Sequence, residues 1–459
     1  MANFVASRER AIHARSMHWI NRTLIGLCGL AAGCGPKTTE ETTDSGPTTS
    51  GSATNMSGTS TEDAPTTATP TTEGSTTEGS TTASPTTGEP SCTTQPSGTL
   101  LWDTAVELKE DDTLRATFVT LSDGRIAFAG TRYEGEGIDN LFDGLLWFGE
   151  DGTQVGWTLS TTFIKLGITF ANLRVAPDDS VLLMATRHDG FPEEDSWPYL
   201  ARFAPDGAEL ARVDIDAGRI ATPFDFELLG DRVVLSGVEE VSPARLVAVA
   251  DVATGAVIWE TELVTPGFDI QVAVGPGGEI VAGDGLRGPD GHFKVWRLDA
   301  ATGAVVWEAE LPFPDNDAEL ADLVVTPDGR VVAVAFRKNE DHTDGSLVAT
   351  ALALDSGAAQ WQTVVAVTTV EGLPFTQKVL VDADRLTLPV TRDAIFVDGP
   401  PIVELFELSF AGALLGASTL PIPADEIGRF QHVAGRGRCG ELLLFHQGGA
   451  DRRLMAFAP

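Results

Sequence analysis

The chain lacks any convincing stretch with the 3.6-residue apolar period of an amphipathic helix, and its apolar runs fall short of the roughly 20 residues a helix needs to cross a bilayer. Almost no helix is expected. Sequence signatures of common chemistries are missing too: there is no G-x-S-x-G elbow, no H-E-x-x-H, no C-x-x-C and no phosphate-binding glycine loop. Positive charge is scarce, with 31 Lys and Arg against 66 Asp and Glu and a net charge of -35. A surface of that sign repels phosphate backbones, which excludes nucleic acid as a partner. Cysteine is scarcer still: Cys28, Cys34, Cys92 and Cys439 are the whole set.

What the chain does have is a repeat. The stretch LDAATGAVVWEAEL, Leu298 to Leu311, sets a polar turn between two apolar runs and places Trp307 four residues beyond Gly303. It recurs around Gly255 with Trp259 and around Gly357 with Trp361, and in a slipped form around Gly152 with Trp157. The turn alone persists at Gly207 and Gly412, so the spacing of this family is 48 to 55 residues. A turn pair between alternating apolar residues is a hairpin signal, and hairpins recurring at this period mean a propeller or a solenoid. A second family of turns lies between the first, at Gly124, Asp179, Asp231, Gly278, Gly329, Asp384 and Gly440.

The second family has seven copies against six of the first. The chain's ends supply the missing half: Arg453 to Pro459 reads as a third strand with no fourth after it, and Thr99 to Leu108 as a fourth strand with nothing before it. The expected fold is therefore all-β: a seven-bladed propeller of four-stranded blades over 99–459, its last blade closed by the first strand of the domain. Closure leaves no long unpaired sheet edge at the join. Cys439 falls in the first turn of blade 7, and Cys92 precedes the strand that completes that blade. Three strand spacings of about 4.8 Å separate them, which the residues between Cys92 and Gly98 can cross, so a Cys92–Cys439 disulfide is expected at the seam.

Residues 1–33 read as a secretory signal, with Arg8, Arg10, Arg15 and Arg22 ahead of the short apolar run LIGLCGLAAG; Met17 offers a second start. Ala31-Ala32-Gly33-Cys34 resembles the bacterial lipobox, which makes Cys34 the expected site of lipidation. Gly35 after it is compatible with sorting to the outer membrane. Residues 34–98 are a tract of Thr, Ser, Gly, Pro and Glu with almost no large apolar side chain, and nothing in it offsets the entropy of ordering. They are expected to form a disordered stalk.

The segments DVATGAVIWE and DAATGAVVWE resemble the PQQ-type repeat of quinoprotein-like propellers, which occurs in quinone-dependent alcohol dehydrogenases and in the propeller lipoprotein of the outer-membrane barrel-assembly machinery. The resemblance is clear in blades 3 and 4 and fair in blade 5. It implies that Trp102, Trp259, Trp307 and Trp361 pack between blades. It does not carry the dehydrogenase activity, because that branch has eight blades, an adjacent cysteine pair on the quinone and a calcium site, and this chain has no Cys-Cys pair. No cofactor and no metal are expected.

Eight residues on from the second-family turns stand Arg132, Arg187, Arg337 and Arg392. Two readings of this phasing stand open. The four guanidinium groups form a partial ring able to take an anionic ligand or an acidic segment, or each pairs with a carboxylate of a neighbouring blade or caps backbone carbonyls. The loops on the same face, joining second and third strands, are long and polar and carry His188, His292, His342 and His446, which belong to different blades and are not gathered for one metal. The functional expectation is a monomeric, lipid-anchored, non-enzymatic binding module of the bacterial envelope or cell surface, touching the membrane only through its lipid, with an envelope protein or an anionic ligand as partner. The alternative is a propeller hydrolase or lyase with a sugar or lactone site at the channel mouth.

Overall fold

In the computed structural model, the described residues are 92 and 95–459, apart from 110–111, 134–140, 164–170, 189–195, 217–218, 240–243, 266–269, 286–291, 313–316, 339–344, 370–372, 377, 394–401, 423–430 and 449–450. The expected signal, the lipidation site Cys34 and all but the end of the expected stalk lie outside them. So do His342, most of the polar loops, and the side chains of Arg187 and His188.

Every regular element among the described residues is a strand. The strands form seven antiparallel sheets, blades 1 to 7, covering 113–163, 171–214, 220–263, 271–312, 317–367, 373–419 and 431–457. Blade 7 takes its outermost strand, Leu100–Ala105, from the start of the domain. That strand pairs with Asp451–Phe457, setting Trp102 opposite Ala456 and Thr104 opposite Leu454. Gly98 and Ala458 extend the pairing with bonds of 2.9 and 2.8 Å. Across the same seam Arg453 Nε donates to Asp103 Oδ1 at 2.8 Å while its terminal nitrogen reaches Oδ2, a forked ion pair of the stronger kind.

The turns explain the repeat. In blades 3 and 4, Asp251 and Asp299 each accept the backbone N–H and the hydroxyl of the threonine three residues on, at 2.7 to 2.9 Å. The threonine hydroxyls Thr254 and Thr302 hold these carboxylates below their ordinary pKa. Gly255 and Gly303 follow with φ of +71° and +73°, a region open to glycine at little cost. Asp-x-x-Thr-Gly is thus a turn with a mechanism.

Burial follows the blade boundaries. Among the described residues, most buried apolar side chains fall into seven clusters, each shared by two neighbouring blades, and the cluster between blades 6 and 7 includes Val403, Leu444 and Phe457. The core is therefore a ring of interfaces, and each blade depends on both neighbours. At the join of blades 7 and 1, Phe128 meets Phe445 edge-on with ring centroids 4.8 Å apart.

Blade 6 departs from the expected four simple strands. Its innermost strand is split into Leu373–Phe375 and Leu380–Val381, both paired with Arg385–Asp393. Pro374 has no N–H to give the ladder, and Thr376 Oγ1 closes a local turn on the Lys378 carbonyl at 3.2 Å. The break brings Lys378 to the central channel.

Cys92 and Cys439 are bonded, with Cα atoms 5.5 Å apart and 347 residues between them in sequence. On the loop-entropy account, closing so long a loop is worth about 6 kcal/mol at most. The double substitution Cys92→Ala, Cys439→Ala is expected to lower the denaturant midpoint by an amount equivalent to about 3 kcal/mol, read by comparing oxidised wild type with the variant at equal m-value.

Candidate functional site

The innermost strands of the blades surround a central channel of about 530 Å³. Around it, the innermost strands of blades 1 to 5 present Thr117, Asn172, Asp225, Gln271 and Asp322, and the break in blade 6 presents Lys378. Five of these side chains tie one blade to the next. Thr117 Oγ1 donates to Asn172 Oδ1 at 3.1 Å, and Asn172 Nδ2 donates to Asp225 Oδ1 at 2.7 Å. Asp225 Oδ2 accepts Val272 N–H at 3.2 Å, Gln271 Nε2 donates to the Ala321 carbonyl at 3.1 Å, and Asp322 Oδ2 accepts Val379 N–H at 2.5 Å. A polar belt thus runs from blade 1 to blade 6.

Charge is added one layer along. Arg174 sits over the buried Phe226 ring at 5.2 Å and pairs with Asp225 at 3.0 Å and Glu227 at 2.7 Å. Burial pushes the Asp225 and Asp322 carboxyls above their ordinary range, against the pull of Arg174 on the first and of Lys378 on the second. The same two carboxylates with Glu227 place three acids in one cavity, and no histidine is among its described lining residues. Gln271 Oε1 and Arg174 Nε are buried with no hydrogen-bond partner among the described residues.

A carboxyl whose pKa is raised on folding binds its proton more tightly in the folded chain. Its contribution to stability is full below its ordinary value of 3.8 and is lost as pH rises through the raised value. Asp322→Asn keeps the shape but turns an amide donor toward one of two backbone N–H groups, at a cost of about 1–3 kcal/mol. The melting-temperature gap between wild type and Asp322→Asn is expected to be widest near pH 4 and to narrow toward pH 7.

The arginines singled out by phasing all stand near the ends of second strands. Arg392 is buried; its Nε donates to Glu404 at 2.7 Å and another of its nitrogens reaches the Val367 carbonyl of blade 5. Arg132 lies over the Trp157 ring of its own blade, 5.9 Å from the centroid. Arg337 is partly buried, and only the backbone of Arg187 is described. Arg132, Arg337 and Arg392 are not among the described residues that line the channel.

The tryptophans stand at blade boundaries. A Cβ added to Gly303, Gly357 or Gly412 would fall 2.5 to 2.7 Å from the ring of Trp259, Trp307 or Trp361 of the preceding blade, and one added to Gly152 would meet Trp102 at 2.5 Å. Each of the first three indoles donates its N–H to a carbonyl of the same turn, Ala300, Leu354 or Phe410, at 2.8 to 3.0 Å. Blade 1 does it differently. Trp147 of the third strand, not Trp157, stands against Gly207, while Gly156 occupies the place four beyond the turn.

The channel belt is the feature that counting residues by identity missed. Its members in blades 1, 2, 4 and 5 stand seven residues before the left-handed turn residues Gly124, Asp179, Gly278 and Gly329. They share polarity but no residue type, so only phasing by class finds them.

Seven blades meeting through a ring of interfaces, with an indole against a turn glycine at most of them, define a seven-bladed β-propeller. The family model described as PQQ_2, Outer membrane protein assembly factor BamB, matches residues 200–396. No curated protein matches the chain. Similar solved structures include hydrazine synthase of Kuenenia stuttgartiensis, at 11% identity over 75% of this chain and 98% of that one with a TM-score of 0.47. BamB from Moraxella catarrhalis is similar at 13% identity over 78% and 100% with a TM-score of 0.38. An ulvan lyase of polysaccharide lyase family PL25 is similar at 7% identity over 77% and 96% with a TM-score of 0.49. At these values none of the three bears on what this chain does.

Proposed function

We propose that the chain is a lipid-anchored, non-enzymatic binding module of the bacterial envelope, held by Cys34 and displayed on the stalk of residues 34–98. The observation that carries this reading is an apolar belt on the outer rim. Three residues beyond the turn glycine, five blades expose Val155, Leu210, Ile258, Val306 and Leu415 on their outermost strands. Val305 and Leu414 widen it. Those strands end their sheets, and an exposed apolar edge strand is a template for strand addition by a partner. The family match to an outer membrane assembly factor supports an assembly role.

Pull-down from detergent-solubilised envelopes tests it. The full chain is expected to retain a partner that Val306→Lys with Leu415→Lys loses, at unchanged melting temperature since both sites are exposed. Equal capture by the variant contradicts the belt. Cys34→Ala is expected to move the protein from the membrane to the soluble fraction.

A hydrolase or lyase acting at the channel is favoured by one observation, the three carboxylates around Arg174. Against it, Asp225 and Asp322 are engaged in bonds between blades. Turnover of a sugar or lactone that Glu227→Gln abolishes would favour it.

A further inference from the structure

The boundary between blades 2 and 3 is unlike its neighbours. Four residues beyond Gly207, where blades 3, 4 and 5 carry Trp259, Trp307 and Trp361, blade 2 carries Ala211. The register confirms the equivalence: Ala211 pairs with Arg202 as Trp307 pairs with Arg297 and Trp361 with Ala351. The facing turn of blade 3 is also displaced along the outer strand of blade 2. Gly255 closes on Asp214, and its carbonyl accepts Asp216 N–H at 3.1 Å.

A missing ring and a displaced turn leave a groove of about 620 Å³ at this boundary. Its walls are mostly apolar, with Leu182, Leu200, Ala211, Val213, Leu228 and Val252, while Asp231 and Asp251 add charge beside them. Its rim is fixed, since Arg202 is held by Asp178 at 2.5 Å and Arg212 by Glu209 at 2.9 Å and over the Tyr199 ring. The Val252 carbonyl belongs to the turn position whose counterparts, Ala300 and Leu354, accept an indole N–H.

We propose that this groove is a binding site for an indole ring, supplied by a ligand rather than by the chain. Three boundaries of the same molecule show what such a gap holds: a flat aromatic ring against the turn, its N–H on a turn carbonyl. A mostly apolar pocket with a few polar groups is the usual composition of a small-ligand site. The site does not depend on the rim belt and lies on the face that carries the turns.

The probe is free indole at millimolar concentration, added to the intact protein. It is expected to raise the melting temperature of wild type by about 2 °C, and 1-methylindole, which has no N–H, is expected to bind several-fold more weakly. Ala211→Trp should fill the groove from within and abolish the shift, and Ala211→Leu, a smaller plug easier to accommodate, should weaken binding at least several-fold. No shift in wild type, or an equal shift in both variants, overturns the proposal. Equal binding of 1-methylindole overturns the role given to the Val252 carbonyl. N-acetyltryptophanamide separates the sources: binding at least as tight as indole identifies a tryptophan side chain of a polypeptide, and weaker binding a free small molecule.

Discussion

Replacing Leu100–Ala105 by a Gly-Ser sequence of equal length is expected to abolish cooperative unfolding. The strand supplies Leu100 to the apolar cluster between blades 6 and 7 and Leu101 and Trp102 to the one between blades 7 and 1, and it carries the Asp103 carboxylate that grips Arg453. Leu100, Leu101 and Trp102 are partly buried, so truncating them costs less than the about 3–5 kcal/mol of a fully buried Trp and about 2 or more of each Leu, and the lost ladder bonds and ion pair add to that cost. The sum is comparable with the whole stability of a domain, about 5–15 kcal/mol. Loss of the strand also leaves Asp451–Phe457 as an unpaired edge, so aggregation should accompany unfolding. Circular dichroism during denaturant titration reads the first effect and light scattering the second. A variant that unfolds with the wild-type midpoint would mean the seam is closed in some other way.

Trp259→Ala is expected to lower stability by about 3–5 kcal/mol, the largest effect of any single substitution at a blade boundary. The indole is buried, donates to Ala300 at 3.0 Å and fills the space that the bare Gly303 leaves. The reciprocal change, Gly303→Ala, sets a methyl 2.5 Å from the same ring at a φ of +73°. Backbone strain and overpacking together should cost about 2–4 kcal/mol. Combining the two changes should cost less than their sum, because removing the ring removes the clash. Additivity, read from urea midpoints of the four proteins, would show that the two residues do not meet.

Architecture was legible because it is written in turns. Asp-x-x-Thr-Gly and its shorter relatives punctuate a chain of apolar alternation, and counting them returns seven blades and a split last one. The disulfide followed from that count. The site was less legible. Blade 1 seats Trp147 where other blades seat the residue four beyond the turn, and no local pattern marks that exchange of strands. The arginine phasing is real in sequence, yet where each guanidinium goes depends on what stands across the ladder: Glu404 is within reach of Arg392 because Arg392 pairs with Ile402, two places away. The channel belt and the groove at Ala211 are visible only when the repeats are compared position by position, the first as a shared polarity and the second as a missing ring.

Amide hydrogen exchange along Leu100–Ala105 is the most direct test of the closed ring. Paired with Asp451–Phe457, these amides are expected to exchange as slowly as those of interior strands such as Val331–Ala335, and to open only with global unfolding. Exchange at the rate of a free chain terminus, while the interior strands stay protected, would contradict the seven-bladed closure.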